Sequence, residues 1–148
     1  MKVKTCSYRA IIKASGIYDA LMMLPFAIPG LSALVLQYLA YLHQQLGLAG
    51  AIPVFTPFHL LFVNIMASIS IVWAVIRIRN PTALYAWYDT AARLLIAAIM
   101  LVYLLRDGIS GIIWLFFATE VIWAALQING YFFKNDHAMQ SAHAKARA

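Results

Sequence analysis

Four stretches of about 20 largely apolar residues succeed one another along this chain, at roughly 17–41, 57–78, 85–105 and 109–132. Each is long enough to cross a bilayer core as a helix. Composition agrees with that reading: of 148 residues, 64% are hydrophobic and 11% charged, against about 45–50% and about 25% in a soluble domain. A soluble domain of this size could not hide so much apolar surface, because much of any compact surface faces water. A soluble enzyme, a disordered chain and a nucleic-acid-binding module are therefore excluded. The expected fold class is an all-α, integral membrane, up-down four-helix bundle with a kinked first helix. One transmembrane domain, 1–133, with no internal repeat, precedes a small polar tail, 134–148, expected to be disordered.

The formal net charge of +6 orients the chain; it does not point to nucleic acid. Lys2, Lys4, Arg9 and Lys13 precede the first span; Arg77, Arg79 and Arg93 lie around the turn between the second and third; Lys134, Lys145 and Arg147 follow the fourth. Only Arg106 falls on the other side, so 10 of 11 basic residues share one face. By the positive-inside rule both termini are expected in the cytoplasm. Cys6 is the sole cysteine, which excludes an internal disulfide. The first span, long and carrying Asp19, fits an uncleaved anchor better than a signal peptide. Tyr38, Tyr41, Tyr85, Trp87, Tyr88 and Tyr131 near the span ends fit aromatic belts.

Three of the five acids, Asp19, Asp89 and Glu120, lie within spans, joined by Arg93. An ionisable side chain in hydrocarbon costs about 2.5–3.5 kcal/mol on insertion scales, so it faces the bundle interior and finds a partner. If the turn between spans three and four centres on Arg106–Asp107, Arg93 lies 13 residues before it and Glu120 13 after it. Helices rising equally from one turn then bring the two to the same depth, about 20 Å from the turn. Asp89, one helical turn from Arg93, competes for the same guanidinium. Asp19 falls close to the level of Arg77. Asn64 and Ser68 share a stripe of the second span, and Gln127 lies two turns from Glu120 on one face. Together these seven residues, Asp19, Asn64, Ser68, Asp89, Arg93, Glu120 and Gln127, are expected to form a polar seam opening towards the cytoplasm. The plainer reading is glue that sets helix register; the sharper one is a ligand or proton-handling site.

Pro25 and Pro29 interrupt the first span and free the carbonyls of Leu21 and Pro25. Such breaks line substrate sites in some transporters, though ordinary kinks are commoner. Met22 and Met23 beside them read as adaptable filler. Residues 40–56 (AYLHQQLGLAGAIPVFT) carry no Lys, Arg, Asp or Glu. They read as an interfacial helix, a re-entrant cap over the outer mouth, a simple loop or an extension of the first helix, with Gly47, Gly50 and Pro53 favouring a bent cap. His43 and His59, like His137 and His143 in the tail, lack metal-ligand spacing. No metal site and no cofactor are expected, and no phosphate loop or nucleophile triad is present.

The stretch FHLLFVNIMASISIVWAVIRIRNPTALYAWYDTAARLLIAAIMLVYLLRDG resembles small bacterial membrane proteins of the DoxX-like and BphX-like kind. The likeness rests on the apolar second span ending in Arg77-Ile78-Arg79 and on the Tyr88-Asp89-x-x-x-Arg93 opening of the third. It implies a multi-pass protein of the bacterial inner (cytoplasmic) membrane, with Asp89, Arg93 and Glu120 as the positions to watch. Some such relatives are subunits linked to quinone or thiosulfate oxidation, and distant ones handle sterols. The resulting expectation is a membrane protein that binds an apolar, lipid- or quinone-like ligand, or that serves as a subunit of a membrane assembly. Its partners would be membrane lipids, such a ligand, and a second copy or a larger complex, with no nucleic acid. One rival is a membrane enzyme using Glu120 or Asp19 as general acid/base on a lipid-like substrate. The other is a dimeric, proton-coupled transporter of small molecules.

Overall fold

The computed structural model describes the backbone of residues 8–146 and the side chains of residues 8–132. Among these the chain forms five helices and no strand: α1 Tyr8–Ala27, α2 Leu31–Gln45, α3 Pro57–Arg79, α4 Ala83–Arg106 and α5 Ile113–Ala146. Four segments, Tyr8–Ala27, Pro57–Arg79, Ala83–Arg106 and Ile113–Phe132, are long and apolar enough to cross a membrane. Their outward faces are studded with exposed Leu, Ile, Val and Phe side chains, the surface that lipid covers. The protein is a multi-pass, all-α membrane bundle.

The first span differs from its expected outline. It is not one kinked helix over 17–41 but two helices, α1 and α2, parted at residues 28–30. Pro25 stays inside α1. The stop comes at Pro29, which disfavours helical geometry at Ile28, and at Gly30, whose φ of 84° belongs to the left-handed region that glycine tolerates best. In a continuous helix the Gly30 N–H would bond the Phe26 carbonyl; here the Asn64 side-chain amide of α3 takes that carbonyl at 2.7 Å and also donates to Ser32 Oγ at 2.9 Å. The helix already runs at Tyr8, the first described residue, because Ser15 and Asp19 are turned into the bundle and do not mark a polar flank.

α1 lies against α3 along most of its length, and α4 against α5. Close approach of α1 and α3 depends on Gly16, where a Cβ would stand 3.1 Å from the Ala74 carbonyl and 2.9 Å from Ile78 Cγ1; small residues at such seams let membrane helices pack backbone to backbone. α3 and α4, although joined by a turn of only residues 80–82, make little backbone contact. The molecule therefore consists of two halves, α1–α2–α3 and α4–α5.

Residues 46–56 fold as a cap over the far end. Ala51 pairs with Ile109 in an isolated bridge, the Ser110 N–H donates to the Ala51 carbonyl at 3.0 Å and the Gly111 N–H to the Ala49 carbonyl at 2.8 Å. The cap thus fastens the first half to the α4–α5 turn. His43 adds a contact with Ser110 Oγ at 2.7 Å. His59 accepts the Thr56 N–H at 3.2 Å, which, with Pro57 in the first turn, starts α3. At the other end α5 runs on to Ala146, so the backbone of residues 134–146 is helical where a disordered tail was expected. That stretch has no Gly or Pro and is rich in alanine, the strongest helix former. Lys2, Lys4, Cys6, Arg147 and the side chains of Lys134, His137, His143 and Lys145 lie outside the described residues.

Candidate functional site

The buried face of α4 is polar. Ala86, Asp89, Thr90, Arg93 and Ala97 form its inward stripe at helical spacing, with alanines above and below the charged pair. Equivalent stripes bring Ser15 and Asp19 from α1, Arg77 from α3, and Glu120 and Gln127 from α5 to the same level. The result is one hydrogen-bonded cluster contributed by four helices.

Asp89 is its centre. Its Oδ2 accepts from Arg77 Nη1 at 2.6 Å, Arg93 Nε at 2.9 Å, Gln127 Nε2 at 2.7 Å and Ser15 Oγ at 3.3 Å, and its Oδ1 accepts from Trp73 Nε1 at 3.0 Å. Ser15 Oγ in turn receives Arg77 Nη1 at 2.8 Å, Gln127 Nε2 at 2.9 Å and Arg93 Nη2 at 3.1 Å. Asp19 Oδ2 binds both guanidinium groups, through Arg77 Nη2 and Arg93 Nη2. Glu120 Oε2 accepts from Arg93 Nη1 at 2.8 Å, and Thr90 donates to Gln127 Oε1 at 2.7 Å. Arg77 also lies 5.8 Å from the centre of the Trp73 ring, within cation–π range. Charges desolvated together at these distances hold their geometry because every partner is fixed.

The Arg93–Glu120 pair expected from hairpin register is formed, as are the Asp89–Arg93 and Asp19–Arg77 pairs. The turn that produces the first is longer than assumed: α4 ends at Arg106 and α5 begins at Ile113. Ile113 and Trp114 already donate to Ser110 and Gly111, at 3.1 Å each, so the chain begins its helical descent before α5 proper. Gln127 joins the cluster as expected. Asn64 and Ser68 do not: Asn64 seals the α1–α2 break, and Ser68 is exposed, its hydroxyl donating back to the Asn64 carbonyl at 2.8 Å. Arg77, counted from sequence among the turn charges, is wholly buried inside α3. Ser15, Trp73 and Thr90 belong to the site and carry no sequence signal beyond helical spacing from Asp19, Arg77 and Arg93. Among the described residues no grouping of His, Cys, Asp and Glu could hold a metal ion.

The cluster forms one end of a cavity of about 260 Å³. Asp19, Arg77 and Glu120 stand at the polar end, and Ile96, Met100 and Phe116 line the rest. Asp89 is almost fully enclosed, whereas the Asp19 and Glu120 side chains retain 18% and 21% exposure, so these two carboxylates face the opening. Arg77 Nε is the one buried side-chain nitrogen or oxygen among the described residues without a hydrogen-bond partner, and native structures leave few such groups. Below the cluster, Tyr8, Ile12 and Ala86 form a dry core backed by Tyr131. The seam is therefore closed at the end where α1 and α4 begin. The cavity extends the other way, and Ala92 and Ile96 at its wall are exposed between α3 and α4. Compared with protein-family models, curated proteins and solved structures, the chain gives no match.

Proposed function

We propose that this membrane protein binds a membrane-dissolved amphiphile of the lipid or quinone type, its oxygen-bearing head against the Asp19–Arg77–Arg93–Glu120 end of the cavity and its apolar body along Ile96, Met100 and Phe116. The carrying observation is the cavity itself. It is polar at one end, where the Asp19 and Glu120 carboxylates keep partial exposure beside the guanidinium groups that hold them, and apolar at the other. Sparse contact between α3 and α4 supports access from the bilayer. The likeness of spans two to four to DoxX-like and BphX-like proteins agrees with this role and with residence in a bacterial inner membrane. Both chain ends are cytoplasmic in this reading. With Arg77 and Arg93 assigned to the cluster, eight of the nine other basic residues still lie on the side of the chain ends, against Arg106 alone.

Native mass spectrometry of the protein released from gently extracted membranes tests the proposal. The wild type is expected to retain one amphiphile per chain. Ala92→Trp, which fills the cavity from its exposed wall while leaving every charged residue in place, is expected to emerge empty. A wild type that carries no ligand and travels with another protein would overturn the binding role in favour of a subunit role. Equal retention by Ala92→Trp would move the ligand out of this cavity.

A further inference from the structure

A second cavity, of about 190 Å³, lies between α2, the 51–55 segment of the cap and the α4–α5 turn, with Leu36, Leu39, Ile52, Ile109 and Ile113 among its walls. It is lined almost entirely by apolar atoms, and Phe116 belongs to its wall and to that of the polar cavity. The two spaces therefore lie end to end along α5. Glu120 stands at the polar end, Phe116 one helical turn further along and Ile113 beyond it, at about 1.5 Å of rise per helical residue, with Ile109 in the turn that precedes α5. A cap that pins Ala51 to Ile109 and Ser110 roofs the apolar space.

We infer that the two cavities are the head and tail chambers of one site, and that Phe116 is the partition that determines how long a tail the protein accepts. This rests on the binding role proposed above and adds the ligand's shape: a compact polar head carrying a single unbranched or narrow chain that points away from the cluster, towards the cap. A tail gains little by leaving lipid for an equally apolar chamber, so discrimination comes from contacts. Close contacts are individually weak, and a chain that fills the chamber gathers enough of them for roughly a tenfold preference.

The test is a titration of the full-length protein in nanodiscs with 1,4-benzoquinones bearing n-alkyl tails from methyl to dodecyl, followed by quenching of tryptophan fluorescence; Trp73 lines the head chamber. Affinity in the wild type is expected to rise with tail length to a ceiling, by about tenfold overall. Leu39→Trp, which fills only the tail chamber, should abolish that rise and leave the methyl compound's affinity unchanged. Phe116→Ala should move the ceiling to longer tails, a gain that a misfolded protein cannot show. If the methyl compound binds but neither variant alters the dependence on tail length, the two-chamber inference is wrong and the head site stands. If no member of the series binds, or if all bind equally well to Ala92→Trp, the head-site reading falls and the inference with it.

Discussion

At Asp89, donors from Ser15, Trp73, Arg77, Arg93 and Gln127 converge on one carboxylate, whereas Glu120 holds a single partner at the cavity's edge. The two acids should differ sharply in structural worth. Asp89→Asn removes the anion that both buried guanidinium groups share, leaving them Asp19 and Glu120 alone, and is expected to cost about 3–5 kcal/mol. Glu120→Gln keeps an acceptor for Arg93 and should cost about 1 kcal/mol. Unfolding in mixed detergent micelles measures both, and equal losses would show that Asp89 is not the centre. Charged residues were the legible part of this site, because a charge inside an apolar span must find a partner and hairpin spacing names the candidates. Ser15 and Thr90 were silent: a hydroxyl in a span is cheap and common, and only the fold reveals that three helices donate to one oxygen. Arg77 was misread for the opposite reason. Its position in Arg77-Ile78-Arg79, next to Asn80-Pro81, looks like a turn, yet α3 runs to Arg79 with Arg77 on its inward face.

Helices are delimited here by contacts remote in sequence. Pro25 and Pro29 made a disturbance near residue 29 readable, but not whether the result would be a kink or a break. Asn64, 38 residues beyond Phe26, decides it by supplying the donor that the broken helix lacks. A hydrophobic stripe shows which face of a helix is inward but not at what depth its polar members act, and for that reason Asn64 and Ser68 were grouped with a cluster they do not join. Asn64→Leu removes the bond to the Phe26 carbonyl inside the bundle and is expected to destabilise the protein by about 1–3 kcal/mol. Amide hydrogen exchange should then rise around residues 26–32 while α4 and α5 keep their protection. Uniform loss of protection would refute a local role.

For the whole molecule, the described residues join the two halves through α1 against α5, the Tyr8–Ile12–Ala86 core, the cap on the α4–α5 turn, and the ion cluster that ties α3 to α4 where their backbones do not pack. A four-span bundle was readable from apolar run lengths alone. This division was not, because a two- or three-residue turn ordinarily implies packed neighbours. Fragments 1–80 and 81–148 produced together should copurify without a covalent link, and Asp89→Asn in the second should abolish the complex; failure of the wild-type pair to associate would place the cohesion in the turn. The partition of charge between the halves has a consequence for how the protein is made. Asp19 and Arg77 belong to the part that leaves the ribosome first, and Asp89, Arg93 and Glu120 to the part that follows. Each portion thus reaches the translocon with a counter-ion of its own, and no lone arginine has to wait in lipid for a helix not yet synthesised.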